Sequence, residues 1–246
     1  MDLKICHLYP DVLNLYGDRG NITCMRRRLE WRGIDCTVTE LPLGTVDDLA
    51  DYDLFFIGGG QDFEQTVLLS DLNASRKENI RSAVEDGKIF LCICGGYQLL
   101  GRGYRTADGV WCDYTGILDF ATEGSRDRLI GNYAFRLCPE SGGGVVIGFE
   151  NHGGRTVLGA GLKPLGTVIR GFGNNGSDGT EGVRYRNVYG TYSHGPVLPK
   201  NPFFCDLLLL EALKRKYGRA ELAPLDDSAE EAARRAMLTR LHIEEA

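Results

Sequence analysis

The chain has 246 residues, 43% of them hydrophobic and 25% charged, with a formal net charge of -6. That is an ordinary globular composition with ample core, and the acidic balance speaks against a general binder of nucleic acid or of membrane surfaces. Met1-Asp2-Leu3-Lys4 runs straight into a strand pattern and no apolar stretch is long enough to span a bilayer, so the eight cysteines (6, 24, 36, 92, 94, 112, 138, 205) are expected as reduced thiols of a cytoplasmic protein.

Leu3–Leu8 reads as a first strand, followed by a long connection through Asn21. Such loops at strand C-termini often carry function. Asn21 is placed to cap a helix that runs to about Trp31 and stops at Gly33. Cys36–Glu40 is a second strand, and Asp53–Ile57 a third, buried one that ends in Gly58-Gly59-Gly60. A helical stretch is expected from about Asp62 to Glu85, broken near Asp71–Ser75 and closed by Gly87. The apolar run from Lys88 then stops at Cys94, where Gly95-Gly96 follow and Tyr97–Leu100 read as the first turns of a helix. This alternation of strands and helices predicts a mostly parallel central sheet flanked by helices, an α/β fold, taken as a single domain over residues 1–246.

In the second half, Tyr104–Leu137 reads as β-rich connections with Arg126, Asp127 and Arg128 in a polar turn. Val145–Glu150, Arg155–Leu158 and Val168–Phe172 are short strands with hairpin signals. Asn151 and His152 are expected in a polar turn that could hold a ligand. Tyr185–Tyr192 is a strand that ends at Ser193-His194-Gly195-Pro196. Asn201 caps a helix with Pro202 at its first position, running to Tyr217 and stopped by Gly218. Ser228-Ala-Glu-Glu231 reads as a capping box opening a last helix, whose Ala232, Ala233, Ala236, Met237 and Leu241 could pack on the domain or on a partner.

Three places carry chemistry. Cys94 stands at a strand-to-helix elbow, where neighbouring glycines permit a sharp turn and a helix N-terminus favours thiolate. A buried, inert core cysteine is the plainer alternative. Gly58-Gly59-Gly60 can present backbone N–H groups to an anion, or be a flexible turn. Adjacent parallel strands would bring the two loops to one sheet edge. Of the four histidines (7, 152, 194, 242), His194 at the end of a late strand is the best partner for Cys94. Cys92 makes a Cys-x-Cys pair with Cys94, but no second pair stands at zinc-like spacing, so no metal site is expected.

Cys94-Gly95-Gly96-Tyr97-Gln98 resembles the nucleophile elbow of class I, triad-type glutamine amidotransferases, in the branch related to cobyric acid synthase. Asn14-Leu-Tyr-Gly-Asp18-Arg-Gly-Asn21, Gly58-Gly59-Gly60-Gln61-Asp62, Phe149-Glu-Asn-His-Gly153, Gly173-Asn-Asn-Gly176 and Tyr192-Ser-His194-Gly-Pro extend the likeness over nearly the whole chain. Together they resemble the glutaminase subunits of lipid II isoglutaminyl synthases. The resemblance implies that Cys94 attacks the carboxamide of L-glutamine with His194 as base, and that Gly95 with Gly59 or Gly60 forms the oxyanion hole. Gln98 and Arg128 are the implied glutamine contacts, Arg128 because a guanidinium fork suits the α-carboxylate. Asp18 and Asn151 are accessory candidates. No cofactor is implied for this subunit. ATP and magnesium would belong to a MurT-like partner of the Mur-ligase family, which would use the ammonia to amidate the D-glutamate α-carboxyl of lipid II in a heterodimer.

One departure stands out. The wider class carries a Glu two residues after the triad His, and here that position is Pro196. The carboxylate that orients His194 is therefore expected from elsewhere, from Asp18 or, as the favoured expectation, from the partner. Competing readings are a glutaminase serving a cobyrinic or cobyric acid synthase-like synthetase, a cysteine hydrolase of related fold, and a non-catalytic scaffold.

Overall fold

The computed structural model describes residues 1–60 and 67–244. The expected helix start at Asp62 and the Gln61-Asp62 pair of the glycine-rich motif lie outside the described residues.

The apolar runs of the first half form strands β1 (Asp2–Leu8), β2 (Asp35–Leu41), β3 (Leu54–Ile57) and β4 (Ile89–Ile93). Every residue of β3 and β4 is buried, as a strand covered on both faces requires, and Phe55 stacks on Phe90 across the pair at 4.4 Å. The sheet is completed by the hairpin β11 (Val183–Tyr185) and β12 (Val188–Thr191), in the order β11-β12-β4-β3-β1-β2. Only β11 runs antiparallel. The expected single strand 185–192 is thus two strands joined at a tight turn, where Arg186 takes φ 47°. The parallel register pairs Leu8 with Ile57, Ile57 with Cys92 and Thr191 with Ile93. The segments that follow β1, β3, β4 and β12 therefore leave the sheet at one edge.

The described helices include α1 (Arg19–Glu30), α2 (Ala74–Glu85), α3 (Gly95–Gln98), α4 (Val197–Lys200), α5 (Pro202–Tyr217) and α6 (Ser228–Leu241). The break before α2 falls where expected, with the Asn73 side chain accepting from the Arg76 N–H at 2.9 Å. Asn21 does not cap α1, and Asn201 stands at the N-cap of α5 with Pro202 first, as expected, but makes no side-chain cap bond. Asn21 lies inside α1 and accepts from the Leu198 N–H, while Asn201 clamps both backbone groups of Ile147. Each has exchanged a local role for a long-range one because it is buried. The capping box at Ser228 is also absent, Asp227 being the N-cap without a side-chain bond. Ala232, Ala233 and Ala236 are exposed, whereas Arg234, Leu238 and Leu241 are buried; Leu238 and Leu241 pack with Ala134, Val145 and Ile147.

A second sheet was not expected. It comprises β5 (Gly103–Arg105), β6 (Trp111–Asp113), β7 (Phe120–Leu137), β8 (Val145–Leu158), β9 (Gly166–Arg170) and β10 (Thr180–Glu181), in the order β10-β9-β7-β5-β6 with β8 paired to β7. The two short strands read from sequence at 145–150 and 155–158 are one continuous strand, so Asn151 and His152 are not in a turn. Burial alternates along it, with Glu150, His152, Gly154 and Thr156 facing inward. A row of inward polar residues hides a strand from hydrophobic periodicity. Arg126–Arg128 likewise sits within β7, at a register shift between Gly124 and Leu129. The second sheet meets the first through an antiparallel bridge in which the His194 N–H donates to the Phe149 carbonyl at 2.8 Å.

Candidate active site

Cys94 ends β4 with φ 49° and ψ -106°, a conformation that costs a non-glycine residue about 1–3 kcal/mol and marks a position held by its surroundings. Its N–H donates to the Thr191 carbonyl at 2.8 Å and its carbonyl accepts from the Gln98 N–H at 2.9 Å. Cys94 is 6% exposed. Gly96 lets the elbow close on the β3 loop, since a Cβ there would come 2.6 Å from the Ile57 carbonyl oxygen. The helix expected after Cys94 is a single turn, 95–98. It lacks the length to build a macrodipole, so any anion stabilisation rests on individual N–H groups. Cys92 is fully buried on β4, and burial pushes its thiol far up, as suits an inert strand residue.

Gly59 stands at the centre of the constellation. A Cβ on it would lie 2.5 Å from His194 Cε1, 3.3 Å from an Asp18 carboxylate oxygen and 3.4 Å from Cys94 Cβ. Three residues from three loops thus converge on a space that only a hydrogen atom can share. Asp18 and His194 are fully buried. Asp18 Oδ2 accepts from the Gly59 N–H at 2.9 Å and lies 3.3 Å from His194 Nδ1. A carboxylate can only accept, so Nδ1 carries the proton toward Asp18 and Nε2 is left buried with no hydrogen-bond partner.

Burial alone would lower the His194 pKa, but the charges of Cys94 and Asp18 outweigh it and raise the imidazole to about 10. The imidazole thus stands between Cys94 and the Asp18 carboxylate, although Nε2 has no hydrogen-bond partner in this arrangement.

Of the two expected sources of a carboxylate at His194, the candidate within this chain, Asp18, stands beside the imidazole. Pro196, where the wider class has Glu, instead packs on Gly20; a Cβ at Gly20 would come 2.4 Å from the proline ring. The His194 segment is thereby pressed against the loop that carries Asp18.

The same geometry separates the two oxyanion candidates of the glycine loop. Gly59 has its N–H committed to Asp18 and is corrected from donor to spacer, which leaves Gly60 and Gly95. Gly60 lines a narrow cleft together with Leu15, Tyr16, Cys94, Gln98, Arg128, Asn151, His152, Gly153 and Gly154. Among the described residues no group of three His, Cys, Asp or Glu side chains is placed to hold a metal ion, and no helix is long and apolar enough to cross a membrane.

Residues 4–202 match the model of the CobB/CobQ-like glutamine amidotransferase domain. The chain belongs to the CobB/CobQ-like glutamine amidotransferase family. Within that family it is 43% identical over 239 residues, 97% of this chain and 96% of the relative, to the GatD subunit of lipid II isoglutaminyl synthase (glutamine-hydrolyzing) from Staphylococcus aureus (strain N315). It is 42% identical over 218 residues, 88% of this chain and 83% of the relative, to the subunit of the same name from Streptococcus pneumoniae (strain ATCC BAA-255 / R6). A solved glutamine amidotransferase of Thermotoga maritima has the same fold, with a TM-score of 0.53 at 16% identity over 97% of this chain and 94% of that one.

Of the candidates that the sequence singled out, Gly60, Cys94, Gln98, Arg128 and Asn151 line the cleft, while Asp18 and His194 are buried and converge with Cys94 on Gly59. Gln98 is buried, with Nε2 donating to the Tyr192 hydroxyl at 3.0 Å. Arg128 is exposed at the mouth and grips Asn151, Nε to Oδ1 and a terminal nitrogen to the backbone carbonyl, both at 2.8 Å. Asn151 in turn donates to the Tyr16 hydroxyl at 2.8 Å. Three residues escaped the sequence reading. Tyr16, at φ 54°, lays its ring edge-on to His194 at 4.8 Å. Tyr192 anchors Gln98 and stacks on His152 at 3.7 Å. Gly154 leaves room for both, since its Cβ would fall 2.4 Å from Gln98 Nε2. Tyr192 had a legible signal: it precedes His194 by two residues on an extended segment, and such residues share a face.

Proposed function

We propose that this chain is the glutamine-hydrolysing subunit of a lipid II isoglutaminyl synthase, acting in the amidation of peptidoglycan precursors. Cys94 attacks the carboxamide carbon of L-glutamine as thiolate, and His194 delivers a proton through Nε2 to the departing ammonia. Asp18 holds the tautomer and stabilises the imidazolium. The N–H groups of Gly60 and Gly95 receive the oxyanion of the tetrahedral intermediate. Water, deprotonated by His194, then hydrolyses the thioester to glutamate. Arg128 receives the substrate α-carboxylate, and its grip on Asn151 and Tyr16 is what the substrate displaces.

The observation that carries this reading is the convergence of Asp18, Cys94 and His194 on the hydrogen of Gly59, in a chain similar to GatD subunits over almost its whole length. The ammonia is consumed by a MurT-like, Mur-ligase-family synthetase in a heterodimer, and ATP and magnesium are that partner's cofactors. The D-glutamate α-carboxyl of lipid II is the acceptor, and the subunit works in the cytoplasm. Transfer within a complex suits the chemistry, because free ammonia is protonated and diluted once it reaches water.

The test is glutamate release from L-glutamine by the chain alone and with the candidate synthetase, for wild type and Cys94→Ser. Hydrolysis that vanishes in the variant, with amidated lipid II formed only in the complex, is the expected result. No hydrolysis by wild type in either condition would overturn the reading.

A further inference from the structure

His152 has no part in that mechanism, yet it lines the cleft beside Cys94 and is 2% exposed. Its Nδ1 lies 2.9 Å from the Gly154 carbonyl oxygen, which can only accept, so Nδ1 carries the proton. Burial lowers the pKa of the ring and keeps it neutral, the nearby Glu150 carboxylate only partly opposing this. Nε2 therefore presents a lone pair, and that atom is buried with no hydrogen-bond partner. The ring cannot turn away, because it stacks on Tyr192 at 3.7 Å with the planes 10° apart. Beside Nε2, at 3.8 Å, lies Glu150 Oε2, a second acceptor. Glu150 Oε1 accepts from the Phe172 N–H at 2.8 Å and Oε2 from the Gly173 N–H at 3.0 Å, so the carboxylate is held in place and the acceptor left without a donor is His152 Nε2, beside a negative charge.

We infer that His152 Nε2 is the acceptor that recognises the α-ammonium of the glutamine substrate, with the Glu150 carboxylate supplying the charge complement. This rests on the glutaminase reading above and adds the residue that selects an amino acid over a plain amide. Glutamine carries one positively charged donor, its α-ammonium. Arg128 at the mouth of the same cleft offers the opposite charge to the α-carboxylate. The two ends of the amino-acid head group are thus read by different sides of the cleft, leaving the carboxamide to reach Cys94. His152 touches the substrate in this scheme but no reacting atom, so it sets specificity rather than rate.

The experiment compares L-glutamine with 4-carbamoylbutanoate, the same molecule without its α-amino group, in the complex with the synthetase. Wild type should prefer glutamine. His152→Phe keeps the stack on Tyr192 and removes the acceptor, while the Gly154 carbonyl retains a donor in Arg155 at 3.3 Å. In that variant kcat/KM for glutamine should fall roughly 10- to 100-fold, the range of a hydrogen bond to a charged group, mostly through KM. Hydrolysis of 4-carbamoylbutanoate should change by less than about twofold. His152→Gln, which can place an amide oxygen near the Nε2 position, should recover part of the preference. Equal losses for both substrates, or none for either, would overturn the inference while leaving the glutaminase reading intact. If wild type hydrolyses neither substrate, both fail. Should His152→Phe not fold, His152→Gln and His152→Asn carry the comparison, and equal preference for glutamine in these two would also overturn it.

Discussion

Asp18 and His194 lie 176 positions apart in sequence, yet an Asp18 carboxylate oxygen rests 3.3 Å from His194 Nδ1, and both side chains are excluded from solvent. That oxygen also accepts from the Gly59 N–H. One carboxylate thus orients the base and fixes the glycine loop. Asp18→Asn should lower kcat for glutamine hydrolysis by about 10²–10⁴, with a smaller change in KM, because an amide no longer enforces the Nδ1–H tautomer or supports the imidazolium. Steady-state kinetics of the complex would check this. Unchanged kcat would return the orienting role to the partner.

Gly59→Ala tests the convergence itself. The backbone there is not in the left-handed region, so the added methyl acts only through space, 2.5 Å from His194 Cε1. The imidazole must move, and displacements near 1 Å at a reacting group cost about 10²-fold. The expected result is a loss of that size or more in kcat with a melting temperature within a few degrees of wild type.

Arg128→Lys addresses the mouth of the cleft. Lysine keeps the charge but cannot make the forked pair of bonds that Arg128 now spends on Asn151. KM for glutamine should rise about tenfold or more with kcat nearly constant. A fall in kcat without a change in KM would assign Arg128 to chemistry instead of binding.

Acid should destabilise the protein through His7. It is 1% exposed, and burial, with a smaller contribution from Arg19, lowers its pKa to about 4. The unfolded chain binds a proton at His7 below about pH 6.5 that the folded chain refuses, so stability falls with pH between those values, by about 3 kcal/mol at pH 4. His194 has the opposite sign. Its pKa is raised to about 10, because Cys94 and Asp18 outweigh burial. Its contribution is complete below about pH 6.5 and is lost as pH rises toward 10. Urea midpoints from pH 4 to 10 would show both limbs. His7→Gln should flatten the acid one, and His194→Gln the alkaline one.

The amino-acid sequence alone determined the parallel half of the molecule and the nucleophile elbow. Runs such as Leu54–Ile57 and Ile89–Ile93 are buried on both faces, and glycines next to Cys94 leave few other local conformations. It also determined the family, through motifs whose residues touch the cleft. The long strand Val145–Leu158 was not legible, since its inward row of Glu150, His152, Gly154 and Thr156 answers to the site and to buried hydrogen bonds rather than to a hydrophobic core. Only the tertiary structure showed that Asp18 lies against His194, that the Gly59 N–H is taken by Asp18 while Gly60 lines the cleft, and that His152 lines the same cleft with its Nε2 unpaired. Each of these is a contact between loops that leave separate parallel strands, or between the two sheets. Local propensity carries no information about such pairs, because their distance is set by strand order and register.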